Sequence, residues 1–420
     1  MSEFTPVLLA SSAQVGADLQ AWLDGSGGQG LRRALSDPTA IIPLLRQADL
    51  RGMGGAGFPT WRKWAAVAEQ PGGQDKYVLC NGNEDEPGTF KDRVLLERSP
   101  HQVIEGALIA ALAVGANQVR LYVNPHQVAS LASLREAAQQ WRQHALWDEL
   151  CDALGRPLEL RVVESCGLYI GGEETAVIAS IEGGFPFPRR KPPYPAEQGV
   201  DGRPTLVNNV ETLANVPHIL RNGADWYASL GRGAANGSKL YSLSGDVLRP
   251  GLYELPMGTS LRELVFDQGG GMLLDRPFKA VFTGGPSNTL LAAADLDVAL
   301  DFDSLRARHS SLGTGAMIVI SAGTSIVRKV AEYVDFFAAG SCGQCPPCKT
   351  GTYQLSRLLR RIDTGSGVTK DLRALESLCE LLPGSGRCAL VDGAVTVVRS
   401  SLEQFGDEYR QQLLDYPRGG

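Results

Sequence analysis

The stretch SCGQCPPCKTGT, residues 341–352, sets three cysteines within seven positions. Whatever this region folds into must bring three thiols into one small volume. A fourth cysteine, Cys388, follows forty residues later in GRCALVDG. Zinc sites usually draw on two separated pairs. A triplet with two-residue gaps instead wraps three corners of an iron–sulfur cubane and leaves the fourth corner to a distant ligand. Lys349–Thr352 contain no cysteine, so the run is not a self-contained ferredoxin motif. Cys388 is the better fourth ligand because it lies in a glycine-rich turn, whereas Cys379 falls within an apolar helix pattern. The spacing therefore predicts one [4Fe–4S] cluster on Cys342, Cys345, Cys348 and Cys388, with structural zinc and plain thiols as alternatives. Such a cluster passes single electrons and cannot take a hydride.

Eight cysteines in 420 residues are too few for a disulfide framework. Cys80, Cys151, Cys166 and Cys379 are scattered and are expected as small buried hydrophobes. The length implies two to four domains. A net charge of −6, with acids and bases interspersed, leaves no basic face for nucleic acid. MSEFTPVLLASSAQVGADLQ has no basic segment before its apolar run, so it is not a signal peptide. VIEGALIAALAVGA (103–116) is too short to span a bilayer and reads as a buried helix. The expectation is a soluble, cytoplasmic protein with no direct membrane insertion.

Helical patterns occupy AQVGADLQAWL, AIIPLLRQADL and WRKWAAVAEQ. Strands are expected at KYVLCN (76–81), VRLYVN (119–124) and LELRVVES (158–165), with one long amphipathic helix over 129–154. Strands alternating with helices imply parallel pairing in an α/β layer. The Pro/Gly-rich segment 183–204 is an extended loop. Beyond about residue 230, KLYSLSGDV, GLYELP, FKAVFTGG and GAMIVIS are short strands around one helix, TSLRELVFDQ, suggesting a small mixed-sheet domain. From about residue 324 the pattern is helical to the end.

RGMGGAGFPT (51–60) contains Gly52-x-Gly54-x-x-Gly57, yet it is not a dinucleotide fingerprint. It follows a helix pattern rather than a strand, and Gly72 and Gly73 stand where an acid is required. Bare backbone there can still approach a flat ring or a phosphate closely. Pro59 suits a first helical turn, and Lys63, one turn on, reaches the same ligand. CNGNEDEPGTFKDR (80–93) follows a strand, where an open α/β sheet places its ligands. Asn81, Asn83, Glu84 and Glu86 there can bond ring edges or sugar hydroxyls, or form a solvated acidic turn. YIGGEETAVIASIEGG (169–184), RRKPPYP (189–195) and TLVNNVETLANVPH (205–218) are each ambiguous alone.

Together, in this order, these segments are specific. The chain resembles the NADH-binding flavin and iron–sulfur subunit of respiratory complex I, a type also found in NAD-linked formate dehydrogenases, bidirectional hydrogenases and related complexes. The resemblance runs from about residue 50 to 395. It implies an atypical Rossmann-like α/β flavin domain (61–228) after an N-terminal helical segment and glycine loop (1–60). A ubiquitin-like β-grasp domain (229–323) and a helical bundle carrying the cluster (324–420) follow. By the same resemblance Gly52, Gly54, Gly55, Lys63, Asn81, Asn83, Glu84, Gly172, Glu173, Asn208, Asn209 and Thr212 cradle the flavin. Phe58, Tyr169, Lys191 and Tyr194 surround the nicotinamide nucleotide, with Glu86 and Glu174 orienting it.

The chain departs from the family pattern in places. Met53 stands for a usual Arg in the flavin loop, Asn83 for Asp, Gly171 for Cys, Tyr194 for Phe and Trp61 for Gly, and Ala66 for a nucleotide-contacting Phe. FMN is the flavin the family implies; loss of the Arg keeps FAD open. NAD(H) and other iron–sulfur subunits are the implied partners. The departures favour a specialised NAD-linked complex over the respiratory one. A zinc-containing ligand-binding or assembly protein without enzymatic activity is the alternative of another class.

Overall fold

The structure, a computed structural model, describes residues 4–417. Three short helices, α1 (Leu19–Asp24), α2 (Gln29–Ser36) and α3 (Ile41–Ala48), precede the glycine loop. The helix expected over AQVGADLQAWL is confined to its second half, because Asp18 caps α1 by accepting from the Ala21 amide. Then come α4 (Thr60–Ala68), β1 (Tyr77–Gly82), α5 (Lys91–Arg98), α6 (Pro100–Val114) and β2 (Gln118–Val123). The single helix expected over 129–154 is two, α7 (Val128–Arg142) and α8 (Ala145–Leu154). His144 interrupts it, its Nδ1 accepting from the Leu146 amide to start α8.

Strand β3 (Glu159–Glu164) is followed by α9 (Glu174–Ile181), β4 (Thr205–Asn209), α10 (Val210–Asn222) and α11 (Ala224–Ser229). The four strands pair in parallel in the order β3-β2-β1-β4. The expected parallel layer is present, and β4 is a strand that the amide-rich TLVNN did not announce. Helix α6 is buried along all but one of its positions, as its apolar composition requires. It lies close on α10 because Gly106 has no side chain; a Cβ there would sit 2.0 Å from the Leu213 carbonyl oxygen.

A second sheet follows, formed by β5 (Ser238–Gly245), β6 (Gly251–Pro256), β7 (Phe278–Thr283), β8 (Leu291–Ala292) and β9 (Ala316–Ser321). Its order is β6-β5-β9-β7-β8, with β5 parallel to β9 and the other pairs antiparallel. The one helix expected there is present and runs as a π-helix over Glu263–Gln268, and a short α12 (Phe302–Arg306) is added. Helices α13 (Ile326–Ala339), α14 (Tyr353–Asp363), α15 (Thr369–Leu381) and α16 (Leu390–Gln411) form the C-terminal bundle, whose core is shared with Ala280, Phe282, Ile318 and Ile320 on one face of the second sheet. Among the described residues no helix is long and apolar enough to cross a membrane. Of the scattered cysteines, Cys80 and Cys379 are buried as expected. Cys151 is only half-buried, and Cys166 is exposed because the loop after β3 carries it to the surface.

The parallel sheet and the second sheet are joined by buried charge. Glu211, at the start of α10, is fully buried, and its Oε2 lies 2.5 Å from Lys239 Nζ of β5 and 3.1 Å from Lys91 Nζ of α5. Its Oε1 accepts from the Leu240 amide at 2.9 Å. Lys91 also meets Asp92 at 2.7 Å. Burial pulls Lys239 down to about 8 against the opposing pull of Glu211. At Lys91 burial acts the same way, but Asp92, Glu211 and Glu84 outweigh it and hold the ammonium above its usual range.

Replacing one member of such a network strands the others as uncompensated buried charges. Glu211→Ala is expected to cost about 3–5 kcal/mol in urea unfolding; a loss below about 1 kcal/mol, the range of exposed pairs, would show that the network does not hold the sheets. Two histidines govern acid stability. Burial lowers His101 to about 4 and His218 to about 3, from the usual 6.5. Below pH 6.5 the unfolded chain therefore binds protons that the folded chain refuses. Their contribution to stability is complete above that pH and is lost as the pH drops toward 3–4. In His218→Gln, urea midpoints followed from pH 7 to 4 should decline less steeply; an identical slope would contradict this.

Candidate functional site

The glycine loop is closed by a bridge between Arg51 and Pro59 and by the Gly52 amide donating to the Phe58 carbonyl at 2.9 Å. Pro59 stands just ahead of α4 as its cap rather than inside its first turn. The loop lies over the carboxyl ends of β1 and β4. At Gly54 a Cβ would fall 2.8 Å from Asn209 Cβ, so only glycine lets the loop come this close. The Met53 amide donates to Thr212 Oγ1 at 2.8 Å. The Met53 side chain is buried and lines neither of the cavities described next.

Two cavities of about 590 and 630 Å³ meet at this loop and share Gly54, Gly55, Ala56, Asn81, Gly172 and Asn209 as walls. The first is also lined by Asn83, Glu84, Glu86, Tyr169 and Glu173. The second is lined by Gly52, Phe58, Lys63, Glu174, Lys191, Tyr194, Asn208 and Thr212. Every cofactor and substrate residue expected from the sequence thus borders one or both. The sequence reading missed the second-sheet loops, which bring Ser287, Asn288, Ser311 and Thr314 to the first cavity, and Arg62, which borders the second. Those loops carry only small polar side chains and glycines, so GGPSN was the one local signal, and it reads as an ordinary turn.

Several of the expected polar groups are already engaged within the protein. Glu84 turns its carboxylate to the start of α5, where Oε1 accepts from the Asp92 amide at 2.7 Å and Oε2 from Arg93 Nε at 2.8 Å. Burial leads its pKa upward. Glu173 caps α9, accepting from the Thr175 and Ala176 amides. Asn208 accepts from Trp64 Nε1 at 2.8 Å, and Asn81 donates to the Gly172 carbonyl at 2.9 Å. These residues shape the walls and leave bare backbone facing the space.

Glu86 and Glu174 differ from that group. Tyr169 donates its hydroxyl to Glu86 Oε2 at 2.7 Å, while Oε1 is buried and makes no hydrogen bond of good geometry among the described residues, the Ser287 hydroxyl and amide lying nearby. Burial raises the pKa of Glu86, and burial followed by the neighbouring Glu86 charge raises that of Tyr169. A buried acceptor without a well-placed donor, on a cavity wall, suits a ligand that brings the donor. Glu174 lies between Lys63 Nζ at 2.5 Å and Lys191 Nζ at 2.6 Å. Burial pushes its carboxyl up, but the two ammonium groups outweigh it and hold the group below its usual range. One carboxylate between two lysines leaves net positive charge on the second cavity, as a phosphate needs.

Cys342, Cys345, Cys348 and Cys388 line one small cavity with Ile170, Pro188 and Leu390. The structure brings Cys388, from the turn ahead of α16, to the triplet between α13 and α14. Cys379 stays in α15, away from this cavity. No group of three or more His, Cys, Asp or Glu side chains among the described residues closes on one point as a single ion demands. The four thiols converge on one small cavity, as the ligands of a four-cysteine cluster site must.

Comparison with known proteins agrees with this geometry. Residues 45–218 match the Nuo51 FMN-binding domain, and residues 328–412 match the NADH-ubiquinone oxidoreductase-F iron-sulfur binding region. The chain is 43% identical over 409 residues to the second F-type subunit of NADH-quinone oxidoreductase from Rhizobium meliloti (strain 1021), covering 97% of each. It is 39% identical over 390 residues to the HndC subunit of the NADP-reducing hydrogenase of Solidesulfovibrio fructosivorans, covering 93% of this chain and 79% of that one. Among solved structures it is similar to an NAD+-reducing [NiFe]-hydrogenase in the H2-reduced state. The TM-score is 0.85 at 35% identity, covering 97% of this chain and 69% of that one.

Fold and site define an NADH-binding flavin and iron–sulfur protein. The chain belongs to the family of F-type NADH-quinone oxidoreductase subunits. The match to an iron–sulfur region also overturns the structural-zinc alternative. Cys388→Ser is expected to lower the iron content of anaerobically purified protein, whereas Cys379→Ser leaves it at the wild-type value; the reverse outcome would exchange the two roles.

Proposed function

We propose that this chain is the NAD(H)-reactive flavoprotein subunit of a multi-subunit oxidoreductase, exchanging electrons between a nicotinamide nucleotide and the iron–sulfur centres of its partners. The observation that carries the reading is the junction of two cavities at a bare glycine loop, one bordered by a buried carboxylate with an oxygen lacking a well-placed donor and the other by two lysines. When bound, FMN and the [4Fe–4S] cluster supply the change from two-electron to one-electron chemistry. The flavin of the matched domain is FMN, which would lie against Gly54, Gly55, Asn81 and Gly172, with Asn209 and Thr212 behind the loop. Cys342, Cys345, Cys348 and Cys388 would hold the cluster.

The chain's own part is positioning. Glu86 Oε1 accepts from the amide of the nicotinamide, and the Tyr169 hydroxyl keeps the carboxylate turned toward it. Phe58, 44% exposed at the cavity edge, offers a ring face to the nucleotide beside Tyr194. Lys63 and Lys191 meet phosphate oxygens, and Glu174 holds the two ammonium groups in place. No side chain acts as a nucleophile.

The second sheet, with its central parallel β5–β9 pair, is read as a ubiquitin-like β-grasp domain over residues 229–323. It stands between an α/β unit at 61–228 and a bundle at 324–420, with the segment 1–60 ahead of them. The two distinct sheets and the run of helices after residue 324 support this division. Relatives at about 40% identity include NADH-quinone oxidoreductase and hydrogenase subunits. The substrate at the far end is therefore set by the partner subunits. We favour a specialised cytoplasmic NAD-linked complex over the respiratory one, on the changes at Met53, Trp61, Ala66 and Gly171.

The test is Glu86→Gln, which keeps the size and the contact with Tyr169 but places an amide where an acceptor is needed. A hydrogen bond to a charged group contributes about 1.5–3 kcal/mol, so NADH turnover with ferricyanide should fall about tenfold to hundredfold. Flavin and iron content should be unchanged. Unaltered steady-state kinetics would count against the assignment.

A further inference from the structure

After α9 the chain reads Phe185-Pro186-Phe187-Pro188-Arg189-Arg190, and nothing in the reaction above employs it. In an extended segment successive side chains point to opposite sides. Here Pro186 and Pro188 are buried, while Phe185 and Phe187 are 49% and 45% exposed. The two rings lie 4.5 Å apart. The loop is held in this form. The Phe187 amide donates to the Phe185 carbonyl at 2.7 Å, and the Arg189 amide to Thr175 Oγ1 at 2.9 Å. The Arg189 guanidinium donates to the carbonyls of Pro193 and Gln198. With two prolines fixing the backbone, the phenylalanines cannot fold back into the core, so the exposed rings are a built feature of the surface.

The anchor of this loop is also a wall of the cysteine cavity. Pro188 lines that cavity together with the exposed Arg387. Ile170, Cys388 and Leu390 line both it and the first nucleotide cavity. The thiol cavity therefore shares a wall with the nucleotide cavity and takes another wall, Pro188, from the loop that carries the phenylalanine pair. Arg190 and Arg387 are exposed and form no ion pair among the described residues. A tilted aromatic pair on the same loop as the unpaired Arg190 has the composition of an interface hot spot, and the charge calls for an acidic counterpart.

We propose that Phe185, Phe187 and Arg190 form the docking surface for one occupant: the one-electron-accepting iron–sulfur partner, through an acidic and apolar patch on its own surface. A protein seated there lies against the loop that supplies the Pro188 wall of the four-cysteine cavity, the position an acceptor of single electrons needs. The inference rests on the proposed function, since it takes the thiol cavity as the cluster site. A rival surface exists at the groove of α14 bordered by Cys348, Lys349 and the 54% exposed Tyr353. That groove lacks a rigid aromatic pair and an unpaired arginine on its wall.

The experiment uses the native complex purified through a tag on this chain. The Phe185→Ser/Phe187→Ser double variant should elute as the free chain, its association weakened at least tenfold by mass photometry, with flavin and iron per chain unchanged. Its NADH–ferricyanide rate, taken within this chain alone, should stay within twofold of wild type, and Tyr353→Ser should remain assembled. Hydroxyl-radical footprinting should show Phe185 and Phe187 protected in the wild-type complex but labelled in the free chain, while Leu248, exposed elsewhere, labels equally in both. The released subunit should carry its own iron–sulfur EPR signal. A double variant that stays assembled, dissociation by Tyr353→Ser alone, self-association of the free chain through the pair, or a released subunit without iron would each overturn the proposal. Loss of the ferricyanide rate in wild type would instead overturn the functional reading beneath it.

Discussion

The architecture turns on one carboxylate kept from water. Glu211 begins α10 directly behind the strand end that carries Asn208 and Asn209, and it binds a lysine from each of two other elements. A lone ion there would cost several kcal/mol in desolvation. Compensated on every side, it becomes a pin between the parallel sheet and the second sheet. Because Lys239 also donates to the Thr314 carbonyl at 3.0 Å, the pin reaches the loop that lines the first cavity. The loops over the strand ends are thus tied to the same three charges that secure the core.

This explains why the cavity walls consist so largely of groups already committed elsewhere. Glu84 serves α5, Glu173 serves α9, and Asn209 bridges Lys91 and Asp92. Polar side chains satisfied internally hold position without a ligand, the preorganisation that a site made of backbone and rings needs. Only Glu86, with one oxygen lacking a well-placed donor, and the Lys63–Glu174–Lys191 set keep capacity for something not present in the chain.

Much of this could be read in the residues, and the misses have physical causes. The cysteine spacing pointed to Cys388 over Cys379, because a glycine-rich turn can bend toward a distant loop and a helix interior cannot. The glycine loop was separated from a dinucleotide fingerprint by the helix before it. β4 was hidden because TLVNN has only two apolar residues, and as an edge strand paired with β1 alone it owes its burial to α4 and α10 packed against it rather than to alternation. The break between α7 and α8 carries neither Gly nor Pro; a histidine cap makes it, and that is visible only once the turn exists. Glu84 looked like a ligand because it follows a strand. Its true partners are eight and nine residues ahead, at a helix start that local reasoning treated separately.

Ile170 borders the nucleotide chamber on one side and the chamber of four thiols on the other. Cys388 and Leu390 border both as well, so single side chains form the partition there. Such a barrier is opaque to water and to dissolved ions, whose passage requires open space. It is nearly transparent to an electron, whose passage depends on a short span of packed atoms. The two chambers are therefore close enough for an electron to pass between groups that each would hold, although no solute can pass through the wall.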